Sequence, residues 1–199
     1  MKSLLKQTAA GLRVLIVLTV LLGVIYPLAV WAIGRLPGLN DQAEGSVITQ
    51  NGQAVGSSLI GIDPVAADPA KDPGFHTRPS ASAKDVLGPG DPSTSGASNK
   101  GPYNEDLVKA ITARKDAIAQ REGVSPDQVP ADAVTASGSG LDPTISVAYA
   151  DLQVARVARV TGLPVEKVKQ LVEENTTGYG IGVPGVNVLK LNLAVQGAH

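Results

Sequence analysis

The chain of 199 residues carries 17 Lys+Arg against 18 Asp+Glu and has no cysteine, which excludes disulfide staples and a thiolate metal centre. Two histidines, at 76 and 199, exclude most histidine-rich metal sites, and six aromatic residues against Gly 22 and Pro 14 imply a structure rich in loops. Setting aside Lys2, Lys6 and Arg13 leaves 14 basic against 18 acidic residues, about four net negative charges, where nucleic-acid binding requires a basic footprint.

Residues 14–33, VLIVLTVLLGVIYPLAVWAI, contain no charge and as a helix reach about 30 Å, the thickness of a bilayer's hydrocarbon core. The run is longer than the apolar core of a cleaved signal and ends near bulky Trp31, so an anchor is expected. Residues 1–13 hold basic groups only, which places the N-terminus in the cytoplasm and the remainder outside the cell or inner membrane. Gly23 and Pro27 give the span a backbone suited to close approach by another helix, and Trp31 suits the outer interface.

Residues 34–45 read as a tether, and residues 46–199 as one extracytoplasmic domain. Segments 47–50 and 55–62 predict a hairpin about Asn51-Gly52. Residues 63–104 show no periodicity; within them 75–81, FHTRPSA, and 93–99, STSGASN, are the parts expected to be ordered, with Arg78 a fork of donors and Phe75 an apolar anchor.

Asn104 is expected to cap a helix ending at Gly123, with Leu107, Val108, Ile111 and Ile118 inward. A second helix is expected from Asp142-Pro143, with Ile145, Ala148, Tyr149, Leu152 and Ala155 inward and Arg156 and Arg159 one side over. Leu163-Pro164 begins a third, with Val165, Val168, Leu171 and Val172 inward, ending near Asn175. Residues 186–195, VNVLKLNLAV, alternate and predict a strand paired with the early hairpin. The expected fold is α+β: one N-terminal transmembrane helix followed by a loop-rich α+β domain.

No G-x-S-x-G elbow or phosphate-binding loop occurs. Gly180, Gly182 and Gly185 match G-x-G-x-x-G, but Pro184 interrupts the last gap and a strand follows, so the segment reads as a turn. Asn175-Thr176-Thr177 matches a glycosylation sequon, and Asp63, Asp68, Asp72, Asp85 and Asp91 read as turn starters before they read as a cation site. No catalytic residue and no metal ligand is assigned.

The segment 135–146, TASGSGLDPTIS, followed by Gln153, Arg156 and the closing VNVLKLNLAV, resembles the KdpC family of the Kdp potassium-transporting P-type ATPase. The other landmarks follow in order over nearly the whole chain: one N-terminal span, GSSLIG at 56–61, FHTRPSA at 75–81 and SGASN at 95–99. The chain departs from the family pattern at 84–93, which lacks a Tyr-Asp pair, and at Gly185, where the family tends to carry Arg.

That resemblance implies a non-catalytic accessory subunit of a high-affinity, ATP-driven potassium uptake complex. Its implied partners in the Kdp complex are a potassium-channel-like subunit, a P-type ATPase subunit and a small peptide subunit. ATP and potassium are then used by the complex, with no cofactor assigned to this chain. Two roles are implied: stabilising the assembly, and acting as a catalytic chaperone that raises the ATP affinity of the ATPase subunit. With the domain outside, the second must be transmitted through the span, as direct contact with ATP is ruled out.

The structural or interface candidates carried by the motifs are Phe75, Arg78, Pro79, Ser80, Ser95, Gly96, Ser98, Asn99, Ser137, Gly138, Ser139, Gly140, Asp142, Pro143, Gln153, Arg156 and Asn187. The alternative is a membrane-tethered binding or hydrolytic domain acting alone.

Overall fold

The structure, a computed structural model, describes residues 2–178 and 182–198; Gly180 and His199 of the sequence reading lie outside them. The chain divides into two compact units, Met1–Val47 and Ile48–His199.

In the first unit, α1 (Lys2–Val20) passes through a π-helical turn, Leu21–Ile25, into α2 (Tyr26–Gly34). The continuous apolar helix Ser3–Gly34, 32 residues, is about 48 Å long and therefore extends beyond the expected 14–33 core at its N-terminal end. The π turn has a local cause. Pro27 lacks an N–H and its ring crowds the carbonyl four residues back, that of Gly23, so the helix widens there and the Tyr26 amide donates to Leu21 O. At the far end the Arg35 guanidinium lies 5.2 Å from the Trp31 ring centre and pairs with Glu44 at 2.9 Å. A single helical turn, α3 (Asn40–Ala43), stands in the expected tether.

The second unit is a mixed helix and sheet domain. β1 (Val47–Gln50) and β2 (Gln53–Ser57) form the hairpin expected about Asn51-Gly52, the second strand starting two residues before the expected 55–62 and stopping at Ser57. Asn51 and Gly52, with φ of 52° and 77°, take the positive dihedrals of a two-residue primed turn. A separate antiparallel sheet has the order β3 (Thr144–Ser146), β5 (Gly185–Asn187), β4 (Thr176–Thr177). In it Ile145 opposes Val186, and Thr176 opposes Val186 from the other side.

The helices α4 (Glu105–Glu122), α5 (Ala131–Val134), α6 (Val147–Thr161), α7 (Val165–Glu174) and α8 (Val188–Gly197) complete the domain. Its core gathers Phe75, Ile118, Ala133, Ile145, Tyr149, Val157, Val168, Val186, Val188 and Leu191.

Local chemistry explains the boundaries. Asn104 caps α4 by accepting from Asp106 N and Leu107 N, and Gly123 ends it in the left-handed region. Val108 is exposed, so the buried stripe of α4 is carried by its later residues Ile118 and Ala119.

The expected helix start at Asp142-Pro143 is four residues early. Asp142 accepts from Thr144 N and Thr144 Oγ1, forming a side-chain turn that leads into β3. Ser146, held by two bonds to Asp132, then caps α6 through Tyr149 N. The shift rotates the buried face: Gln153, Val154, Arg156 and Val157 point inward, while Ala148 and Ala155 are exposed. On α7, Val168, Leu171 and Val172 are inward as expected, whereas Val165, in the first turn, is exposed.

The largest correction concerns residues 186–195. Only Val186 and Asn187 continue β5, which pairs with β3 and β4, and the rest is α8. Asn187 makes the switch by accepting from Lys190 N, a helix cap at the end of a strand. Val188, Leu191 and Val195 are buried at helical spacing, while Leu189 and Leu193 line an apolar groove of about 420 Å³ with Val55, Ile62 and Val65.

Asn187 also donates to Ser58 O. Asn187→Ala is expected to cost about 1–2 kcal/mol of domain stability, read as a lower thermal midpoint by circular dichroism of the detergent-solubilised chain. Asn187→Asp, which keeps the capping oxygen, is expected to cost less.

Candidate functional site

The motif segments, scattered over 130 residues, meet on one side of the domain through backbone bonds. Gly61 N donates to Leu141 O, Ser137 N to Pro79 O, Gly96 N to Ser139 O, and Val188 N to Pro143 O. Ser95 Oγ adds a second bond to Ser139 O. Two glycines permit the contact: a methyl group on Gly61 would overlap the Asp142 carbonyl, and one on Gly140, whose φ is 71°, would fall 2.8 Å from Gly96 O.

Arg78 and Asp142 tie the same loops by side chains. The Arg78 guanidinium pairs with Asp142 at 3.0 Å and reaches Thr135 O, so each carboxylate oxygen of Asp142 has its own partner. Ser80 and Ser137 are buried beneath, while Ser95, Gly96, Ser98, Asn99, Gly138 and Ser139 are exposed. Gly140, Asp142 and Pro143 are half-buried between these layers. Asn99 has φ 53°, a conformation that asparagine tolerates better than most side chains.

Gln153 and Arg156, both on α6, act from inside. Gln153 accepts from His76 N and donates to His76 O. Arg156 donates to Asp72 O and Gly74 O, to Gln153 Oε1, and through Nε to Glu122. Asn192 on α8 closes the clamp by bonding both the N–H and the C=O of Phe75. Phe75 is thereby driven into the core, where it is fully buried.

Around these lies a charged cluster that sequence reading missed. His76 sits between Asp63, 3.1 Å from Nδ1, and Asp72, 2.6 Å from Nε2. Glu122 receives both Arg156 and Arg121, and Arg121 also donates to Tyr149 OH. Burial raises Asp72, but the bond and charge of His76, the Gly74 amide and the Arg156 charge together outweigh it and hold the carboxyl at about 2. Burial pushes the Tyr149 phenol up, against the pull of Arg121.

One signal was present in the chain: Glu122 is an acid in the last turn of a helix, against the dipole, and it is tolerated because two guanidiniums meet it. The other aspartates serve separately. Asp68 caps a 3₁₀ turn, and Asp91 is lowered by its bonds to Ser93 and Thr94. Asn175, first residue of the sequon, caps α7 and donates to Leu171 O.

Gly23, Pro27 and Trp31 belong to the first unit and lie on the apolar helix, where Pro27 accompanies the π turn and Trp31 stacks with Arg35.

These features define a class: an α+β domain preceded in the chain by one long apolar helix, whose motif loops are strapped into a single surface. The family model described as KdpC, K+-transporting ATPase, c chain, matches residues 8–197. A protein of Kineococcus radiotolerans named potassium-transporting ATPase KdpC subunit is 47% identical over 98% of this chain and 96% of its own length. Proteins of the same name from Mycobacterium tuberculosis, 43% identical over 96% of this chain and 98% of their length, and Beijerinckia indica, 48% over 92% and 89%, are similar as well. The chain belongs to the KdpC family.

Glu122→Gln leaves the buried Arg156 and the part-buried Arg121 guanidiniums short of their shared counter-charge and is expected to destabilise the domain by about 3–5 kcal/mol; thermal unfolding of the solubilised chain reads this loss.

Asp72 yields a pH dependence. Its folded value of about 2 lies below the ordinary 3.8, so the unfolded chain binds the extra proton in that window and stability falls as pH drops from about 4 to about 2. Acid titration of the unfolding midpoint is expected to show this decline in the native chain and a flatter one in Asp72→Asn.

Proposed function

We propose that this chain is the accessory, non-catalytic subunit of an ATP-driven potassium uptake complex, working with a potassium-channel-like subunit, a P-type ATPase subunit and a small peptide subunit. The single observation that carries the proposal is the convergence of the family's motif segments on one surface of the domain. The backbone bonds that join those segments make that surface a preorganised docking face.

In this reading residues 14–33 cross the membrane once, residues 1–13 are cytoplasmic, residues 34–45 are the tether, and residues 46–199 work outside. The exposed Ser95, Gly96, Ser98, Asn99, Gly138 and Ser139 meet the external mouth of the channel-like subunit. Phe75, Pro79, Ser80, Ser137, Gln153, Arg156 and Asn187 hold that face in shape, with Arg78, Gly140, Asp142 and Pro143 between the two groups. Gly23, Pro27 and Trp31 are the membrane contacts.

The domain stabilises the assembly, and any effect on the ATP affinity of the ATPase subunit is a coupling between states, transmitted without contact to nucleotide. The modest negative charge of the domain raises local potassium over no more than about 8–10 Å. A hydrolytic role for His76 is disfavoured because its two ring nitrogens both face carboxylates, which leaves this histidine no free nitrogen to act as base for a serine.

Detergent extraction under potassium starvation, with a C-terminal tag on this chain, is expected to recover a channel-like subunit and a P-type ATPase. Deleting the chain is expected to abolish potassium-stimulated ATP hydrolysis. Recovery of this chain alone, under conditions that preserve other membrane complexes, refutes the proposal.

A further inference from the structure

The apolar helix of the first unit contains one backbone defect, and the defect specifies a partner. Inside Leu21–Ile25 the regular helical donor for Leu22 O is the Tyr26 amide, which donates to Leu21 O instead. The donor one residue further on is Pro27, which has no N–H. A bond from Ile25 requires a tightened turn, and this turn is widened. The Leu22 carbonyl is therefore left without a regular helical donor.

In water such a carbonyl is satisfied by solvent. At mid-span in a bilayer it is not, since every backbone polar group there must find a partner in protein. Leu22 is the ninth of the twenty uncharged residues 14–33, about as far from either interface as the segment allows.

Beside it stands a notch. An added methyl group on Gly23 would meet only Thr19 Cγ2, at 3.9 Å, so a neighbouring helix can approach the backbone at this level. The helix itself covers none of this surface: its large apolar side chains from Leu12 to Ile33 are all exposed.

We propose that the Gly23 notch receives a membrane helix of a partner protein bearing a hydroxyl or carboxamide donor, a Ser, Thr, Asn or Gln, which bonds to the Leu22 carbonyl. The occupant follows from complementarity: the site offers an acceptor and no donor, in a medium without water, so a purely apolar helix leaves it unmet. A bond of this kind between membrane helices is worth enough to bias assembly, while the notch sets how closely the backbones approach. The inference rests on the membrane-subunit reading above and names where in the span the contact falls.

The test is co-purification of the full-length tagged chain with its membrane partners from cells. Gly23→Leu fills the notch and is expected to lower recovery of the larger subunits about tenfold. Pro27→Ala returns an amide to the helix, removes the demand for an outside donor, and is expected to lower recovery similarly. Leu21→Phe, roughly opposite on the helix, is expected to behave as the native chain.

Native recovery with both Gly23→Leu and Pro27→Ala overturns this inference and leaves the accessory role standing. Recovery of nothing but a second copy of this chain overturns it as well, and with it the accessory role.

Discussion

The buried guanidinium of Arg156 is the interaction on which the rest of the domain depends. A charge at 3% exposure survives only when its donors are met, and here they reach Glu122 on α4, the carbonyls of Asp72 and Gly74, and Gln153 on the same helix. One side chain thus joins two helices to a segment that has no secondary structure of its own. Asp72, held in place, meets His76, and His76 meets Asp63, so the bonds run from α6 out to the loop that follows the hairpin.

This arrangement explains how a forty-residue stretch with almost no helix or strand can carry a defined surface. Phe75 supplies the apolar anchor, Asn192 pairs its backbone, and Gln153 pairs that of His76. Those bonds do for residues 72–76 what a neighbouring strand does for an edge strand. From that pinned point the chain runs to Arg78 and Pro79, which are tied to Asp142 and Ser137. The glycines at 61 and 140 are small for a steric reason, because other backbone atoms occupy the space a side chain would need.

How much was legible followed the range of the interaction. The helix after Asn104 could be read because its cap, its apolar residues and its glycine stop lie within one stretch of chain. The Asn51-Gly52 hairpin was equally local. The motif segments were legible as landmarks, yet their meeting on one surface was not, since it rests on bonds between residues 40 or more apart. Residues 186–195 misled because an alternating pattern and a helical one share Leu191 and Val195; the choice was made by Asn187, whose side chain caps a helix only when β5 already holds its backbone. Arg156 read as one side over from the apolar face, because a charge on a helix usually stays out of the core, and its counter-charge on α4 is 34 residues away.

By itself the sequence determined the apolar helix, the absence of disulfide staples, the local caps and turns, and the ordered motifs of the KdpC family, because each is set by composition or by neighbours within a few residues. Tertiary structure alone decided which way α6 faces, where strand gives way to helix at Asn187, and how Asp63 and Asp72 come to flank His76 while Glu122 meets Arg121 and Arg156. Burying a charge is tolerable only beside its partner, and partners distant in the chain become neighbours only when the whole domain has folded.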